Sequence, residues 1–161
     1  MPDSALDRFD LALLDLVQRD NLTPARALAE RVGLSESAVL RRLRRLRREK
    51  IIVADVSIVQ AAAIGLPLTI IVLASLERES AKVLDAFARR VQARPEVRQC
   101  WYVTGDADWV LVLQVESMAS YEAFTREMFL ADPNVKGFKT LVAMREVTGG
   151  SPLSRSEMGR G

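Results

Sequence analysis

The 161-residue sequence predicts an α+β chain in two parts, a helical N-terminal third followed by a βαββαβ remainder. Two observations predict this division. Apolar residues recur at three- and four-residue spacing as far as Leu46, and from Ile51 onward they gather in short β-branched runs. A third observation gives the first part a direction. Six arginines (Arg41, Arg42, Arg44, Arg45, Arg47 and Arg48) crowd into eight residues, interrupted only by Leu43 and Leu46.

Leu6, Phe9, Leu13, Leu14 and Val17 lie at helical spacing with Asp7, Asp10 and Asp15 among them, which predicts an amphipathic first helix ending near Asp20-Asn21. Thr23-Pro24 opens a second helix, with Thr23 as cap and Pro24 at the first helical position. Leu28, Ala29 and Val32 are its buried stripe, and Gly33 stops it in the left-handed conformation that helix ends favour. Ser35 caps a third helix, and Glu36 suits the dipole of its first turn. Ala29, Gly33, Leu34, Ser35 and Val39 together have the register of a helix-turn-helix: a small residue for close approach, a glycine turn, and apolar anchors on both sides. On the third helix Val39, Leu43 and Leu46 share one face. At about 100° per residue, Ser37, Arg41, Arg44, Arg45 and Arg48 lie opposite, with Arg42 and Arg47 flanking the buried stripe.

A basic helix behind a short turn is the device that reads DNA in the major groove. Residues near its start, Ser37 and Arg41, are placed for base edges, while Arg44, Arg45 and Arg48 suit backbone or groove-edge contact. The competing readings are a solubilising arginine face and a membrane-surface helix. The second would keep a wide exposed apolar face, whereas Val39, Leu43 and Leu46 are needed inside. Charge distribution agrees with DNA. The formal net charge is only +2, yet Arg26–Lys50 holds nine bases against three acids, and the first twenty residues hold five aspartates against two arginines.

After Lys50, Ile51–Val59 reads as a linking strand and Ala61–Gly65 as a connection. A strand follows over Leu68–Leu76. Then come a helix opened by Ser80 (Val83, Leu84, Phe87 and Val91 facing in), a strand over Val97–Val103, a turn at Gly105-Asp106-Ala107-Asp108, and a strand over Trp109–Val115. Tyr121, Phe124 and Met128 mark another helix, closed by Asp132-Pro133-Asn134, and Val135–Val147 is the last strand. The order is that of a ferredoxin-like sheet with both helices on one face. Its other face is then a bare apolar surface, which a two-fold homodimer would cover. The expected boundaries are a helix-turn-helix domain over 1–51, linking strand and hinge over 52–65, the βαββαβ domain over 66–147, and a Gly- and Ser-rich flexible tail over 148–161.

The single cysteine, Cys100, and the lack of histidine exclude an internal disulfide, a Cys/His metal site, and a Ser–His or Cys–His nucleophile pair. Cys100 reads as an inert buried thiol, and Trp101 and Trp109 as core or interface packing. No metal or cofactor is expected. The N-terminus lacks a signal-peptide core, and the runs Ala61–Ile64 and Leu66–Ser75 are too short or interrupted to span a bilayer, so a cytoplasmic protein is expected.

These pieces in this order resemble the Lrp/AsnC family of bacterial and archaeal transcription regulators. The resemblance spans about residues 5–147. It rests on Asp10-Leu11…Leu14-Asp15-Leu16, Val32-Gly33-Leu34-Ser35-Glu36-Ser37, Arg42–Leu46, Gly65, Pro95-Glu96-Val97, Thr104-Gly105…Asp108-Trp109, and Tyr121-Glu122-Ala123-Phe124. It implies a regulator, nucleoid-associated, that binds double-stranded DNA at pseudo-palindromic promoter sites through Ser35, Ser37, Arg41, Arg42, Arg44, Arg45 and Arg48. It also implies a homodimer, assembling further to an octamer, and an amino acid or related effector held near Thr104, Gly105, Asp106 and Asp108, with Thr140 on the last strand. On their own chemistry the same residues also suit a hairpin turn with solvated carboxylates. Two departures stand out: Lys50 occupies a position where the family often has glycine, and Asp20–Thr23 lacks the basic residue common after the first helix. Two alternatives share the architecture. One is a nucleoid-organising DNA binder without an effector. The other is an enzyme similar to the siroheme decarboxylases, against which the absence of histidine counts strongly.

Overall fold

The computed structural model describes residues 6–149. The chain forms two compact units, one built on the residues up to Ser57 and one on Ile58–Val147. The expected tail lies almost wholly outside the described residues.

The first unit holds three helices: α1 (Arg8–Arg19), α2 (Ala25–Val32) and α3 (Glu36–Arg48). α1 starts with a reciprocal cap. The Asp7 carboxylate accepts from the Phe9 and Asp10 N–H groups at 2.9 Å, and the Asp10 carboxylate accepts from the Asp7 N–H at 3.2 Å. The cap expected from Thr23 does not form: Pro24 itself is the N-cap of α2, without a side-chain hydrogen bond, because its ring fixes φ at −59° but offers no acceptor. Gly33, at φ +73°, ends α2 as expected. Ser35 Oγ then accepts from the Ala38 N–H at 3.2 Å and starts α3. Leu13, Leu28, Ala29, Val39, Leu43 and Leu46 close the core between the helices. Burying each large side chain contributes about 1.5–3 kcal/mol.

α3 ends at an unusual residue. Lys50 adopts φ +58° as the Ile51 and Ile52 N–H groups fold back onto the Leu46 carbonyl. The linking strand expected over Ile51–Val59 is not a strand. Residues 53–60 belong to no helix or strand, with Val53 81% and Ile58 90% exposed. β-branched residues favour extension, but a strand needs a ladder, and no described strand runs alongside.

A 3₁₀ turn at Ala61–Ile64 leads into the second unit: β1 (Leu68–Leu76), α4 (Ala81–Gln92), β2 (Val97–Tyr102), β3 (Trp109–Val115), α5 (Met118–Thr125) and β4 (Val135–Val142). α5 continues through a π-helical turn over Arg126–Leu130. The four strands form one antiparallel sheet in the order β2-β3-β1-β4. β4 stops at Val142, short of the expected Val147, because its pairing with β1 ends at Ile70↔Val142. Ile70, Val72, Ala74 and Leu76 of β1 and Trp109, Leu111, Leu113 and Val115 of β3 face α4 and α5, where Phe87, Val91, Tyr121, Phe124, Met128 and Phe129 complete the core. The alternate residues emerge on the other face. The pairings Ile71↔Val112, Leu73↔Val110, Ile71↔Leu141 and Trp101↔Val110 line up an apolar surface there that no helix of the unit covers.

Candidate nucleic-acid interface and effector cleft

The amphipathic stripe of α3 fixes which arginines can leave the protein. With Val39, Leu43 and Leu46 buried, Ser37, Arg41, Arg44 and Arg48 are exposed. Arg41 and Arg44 take no ion pair among the described residues, and Arg48 has only the adjacent Glu49, at 3.7 Å. Ser37 Oγ lies 3.2 Å from Ser35 Oγ, the oxygen that caps the helix. The result is a hydroxyl in the first turn of a capped helix and three cations along the following turns, on one face.

Arg45 does not share that face, contrary to expectation, and neither does Arg42. Both turn toward α1. Arg42 Nη1 donates to Asp7 Oδ2 and to Asp10 Oδ1, each at 2.8 Å, and Arg45 Nη2 donates to Asp10 Oδ2 at 2.5 Å. Asp10 is fully buried. A helical wheel puts Arg45 among the outward residues, but its long side chain swings toward the buried Asp10 carboxylate, whose second oxygen it takes beside Arg42. The Arg42 guanidinium also sits 5.5 Å from the centre of the Phe9 ring. The hydrogen bonds that Arg42 donates to Asp10 and Asp7 raise its pKa above its ordinary value. The backbone N–H of Asp10, aided by Arg42, holds the Asp7 carboxyl below its usual range. Arg47 is taken by a different partner. Its Nε and Nη2 form a bidentate pair with Asp55 at 2.7 and 2.9 Å, tying the end of α3 to the residues after it. Asp10 was missed as a functional residue in the sequence, although a signal exists: Leu6, Asp10, Leu13 and Val17 form one helical stripe, and an acid within it must meet a buried partner.

In the second unit the turn between β2 and β3 is held from behind. The Val103 N–H donates to the Asp108 carbonyl at 2.8 Å, and the Asp108 N–H donates to the Ala74 carbonyl at 3.0 Å. Asp108 Oδ2 accepts from the Leu76 N–H at 2.6 Å, so this carboxylate is a fastener of the loop to β1. Thr104, Gly105 and Asp106 are exposed at the tip, and Gly105, at φ +133°, has a conformation that a side chain would oppose. Beside the loop lies an open cleft of about 620 Å³. It is lined by Ser75, Glu79, Asp106, Ala107 and Asp108 and by Lys136, Gly137, Phe138 and Lys139. Tyr102 donates to Glu79 at 2.6 Å. Carboxylates and ammonium groups therefore face one space, a pattern that suits a zwitterion. Glu79, Lys136 and Lys139 were not anticipated, because charged residues at strand ends carry no local signature. Thr140 is not in the cleft. It pairs with Val72, whose side chain faces the helices, and its hydroxyl lies 2.6 Å from the Tyr121 hydroxyl. The period of two that brings Lys139 to the cleft turns Thr140 away from it.

Cys100 is half-buried, and burial pushes its thiol up to about 11, so it stays protonated at neutral pH. Trp109 is packed in the core against Phe87 and Tyr102, with ring centres 5.1 and 5.2 Å away, while Trp101 lies on the bare sheet face. No helix of the described residues is long and apolar enough to cross a membrane.

Comparison with known proteins matches both units. Residues 6–47 match the AsnC-type helix-turn-helix domain, and residues 69–153 match the Lrp/AsnC ligand binding domain. The chain is 49% identical over 142 residues to an HTH-type transcriptional regulator of Sinorhizobium fredii, covering 88% of this chain and 84% of that one. It is 34% identical over 142 residues to the leucine-responsive regulatory protein of Rhizobium meliloti, covering 88% and 91%. Among solved structures it resembles a transcriptional regulator from Neisseria meningitidis in complex with L-Met, with a TM-score of 0.88 and 25% identity over 96% of this chain and 99% of that one.

Proposed function

The chain belongs to the Lrp/AsnC family of transcriptional regulators, and from that premise we propose that it reads double-stranded DNA with the outward face of α3 and answers to an amino acid bound beside the β2–β3 turn. It is a DNA-binding regulator and not an enzyme. Ser37 and Arg41 contact base edges; Arg44 and Arg48 contact phosphates; Ser35 holds the helix start. The observation that carries this reading is the exposure of Arg41, Arg44 and Arg48 along one face of a capped helix behind a glycine turn.

A homodimer closes over the bare sheet face around Ile71, Leu73, Val110 and Val112 and presents two copies of α3 to a pseudo-palindromic site. Octamers form by further association of such dimers. The protein works in the cytoplasm, on the nucleoid. In the cleft, Lys136 and Lys139 suit an effector carboxylate, and Asp106 suits its ammonium group, with Thr104 and Gly105 exposed on the same turn. The L-Met complex of the Neisseria relative supports this choice of ligand class.

The test is duplex binding measured against salt. Log affinity should fall with log salt by about 0.9 for each phosphate contacted. Replacing Arg41, Arg44 and Arg48 together by Gln should remove most of that slope and leave the fold intact; an unchanged slope overturns the assignment of this face. Equal affinity for selected and random duplexes would favour the nucleoid-organising alternative. A melting-temperature screen of the twenty amino acids tests the cleft, since a ligand of the folded state raises the midpoint by mass action.

A further inference from the structure

The α1–α3 contact is more than packing. We propose that Asp10 is a specificity-determining positioning residue: by holding Arg42 and Arg45 off the phosphates it confines the cationic face of α3 to Arg41, Arg44 and Arg48. The inference rests on the reading of α3 as the DNA-contacting helix and adds what governs how strongly that helix binds any sequence at all.

Both carboxylate oxygens of Asp10 are occupied. Oδ1 takes Arg42 at 2.8 Å, and Oδ2 takes Arg45 at 2.5 Å and the Asp7 N–H at 3.2 Å. Asp7 supplies a second carboxylate to Arg42 at 2.8 Å. The two guanidinium groups are thus matched by the Asp7 and Asp10 carboxylates, with Glu49 4.0 Å from Arg45 Nε, and the cluster presents no net positive charge to a polyanion. Sequence-independent affinity grows with the number of phosphates neutralised, whereas base contacts set the difference between sites. A helix with six free arginines would bind every duplex tightly. One with Arg42 and Arg45 neutralised from below and Arg47 paired with Asp55 binds random DNA more weakly, while the base contacts of Ser37 and Arg41 remain.

The geometry also states what release would do. Arg45 follows Arg41 by four residues and precedes Arg48 by three, so a freed Arg45 side chain is the immediate neighbour of both on the helix surface. Arg42 and Arg45 keep about a quarter of their side chains exposed even when paired, which leaves them a way out to solvent. Because both arginines belong to the second and third turns of α3, the same bonds fix the roll of that helix against α1.

The experiment measures the salt dependence of binding to a random-sequence duplex, using the full chain and four proteins checked for folding by circular dichroism. These are the wild type, Asp10→Asn, the neutralised triple variant Asp10→Asn/Arg42→Gln/Arg45→Gln, and Arg41→Gln/Arg44→Gln/Arg48→Gln. Asp10→Asn should steepen the slope by about 0.9 for each arginine released and tighten binding at low salt, and the triple variant should return to the wild-type slope. A folded Asp10→Asn with the wild-type slope overturns the proposal. So does a neutralised triple variant whose slope falls below wild type, since Arg42 and Arg45 would then already touch phosphate. If Asp10→Asn does not fold, the triple variant, which removes the Asp10 charge together with both of its arginine partners, decides alone between those two slopes. Loss of stability changes the fraction of competent protein but not the number of counterions released, so the slope separates positioning from mere support. The outward-face variant tells the two readings apart: an unchanged slope there refutes the DNA face itself, whatever Asp10 does.

Discussion

The two units hold their functional residues by opposite means. Around the sheet, fourteen buried apolar side chains form the core, and no fully buried charge is found there among the described residues. Between α1, α2 and α3 only six apolar residues are buried, and a fully buried carboxylate is set beside them. A large apolar core fixes strands without help, and its loop needs only the Asp108 fastener. A small core leaves a long helix free to roll, because apolar contact is not directional. The Asp10 cluster supplies the direction that six side chains cannot. The lesson is that in the smaller unit orientation depends on charge, and in the larger one it depends on volume.

The largest effect expected from this contrast comes from volume. Phe124 is fully buried and meets Phe129 edge to face at 5.7 Å. Phe124→Ala should destabilise the sheet unit by about 4 kcal/mol through lost burial and the cavity left behind. Both tryptophans of the chain, Trp101 and Trp109, lie in that unit, so urea unfolding followed by tryptophan fluorescence reads the loss directly. A shift under one third of that size would mean the core there is redundant, and the comparison fails on its apolar side.

Charge comes next. Asp10→Ala should cost the helical unit about 3 kcal/mol, because two guanidinium groups lose a buried partner. Replacing Arg42 and Arg45 by Met in the same protein should recover most of it, as an apolar cluster of similar shape costs no desolvation. Helical circular dichroism during urea unfolding follows both variants. Absence of any recovery would show that Asp10 supports packing, not charge balance. Asp108 tests the same idea in the sheet unit at smaller scale. Asp108→Ala leaves the Leu76 N–H without its acceptor, a loss of about 2 kcal/mol in the fluorescence-detected transition. Asp108→Asn keeps an acceptor oxygen and should recover most of it.

The sequence made most of this legible, and its failures share one cause. Val39, Leu43 and Leu46 were readable as the inner face of α3, Gly33 and Ser35 as its entry, and β1 and β3 to the residue, because each is a local pattern repeated over several residues. Arg45, Thr140 and the 53–60 segment were misread because their fate depends on a distant group. Arg45 follows a carboxylate thirty-five residues away. Thr140 follows Tyr121 and the register with β1. Residues 53–60 lack a ladder partner that local β propensity cannot supply. The cleft was half legible for the same reason: Asp106 and Asp108 announce a turn, while Lys136 and Lys139 arrive only when β4 is laid beside β1.

Lys50 separates backbone strain from both charge and volume. At φ +58° it bears a side chain where the left-handed conformation disfavours one. Lys50→Gly should stabilise the helical unit by about 1 kcal/mol, raising its urea midpoint. A decrease would mean that the Lys50 side chain makes a contact worth more than the strain it imposes.

The smallest effect concerns the exposed counterpart of the Asp10 cluster. Asp55 pairs with Arg47 through two hydrogen bonds, but both side chains are about 40% exposed, so solvent screens the pair and its contribution stays well under 1 kcal/mol. The hydrogen bonds from Arg47, with its charge, hold the Asp55 carboxyl below its ordinary 3.8. A carboxyl lowered in the folded state adds stability that is fully present above the unfolded value and disappears as pH falls through the folded one. The melting midpoint of wild type should therefore exceed that of Asp55→Asn slightly at neutral pH, and the gap should close only below about pH 4. High salt at neutral pH should shrink the same gap, because exposed pairs are screened. The stabilisation lost in Asp10→Ala should persist in high salt, since that pairing is buried. If salt erased both differences equally, the distinction between a directional buried cluster and an ordinary surface pair would collapse, and with it the reason for placing Asp10 beneath the arginines of α3.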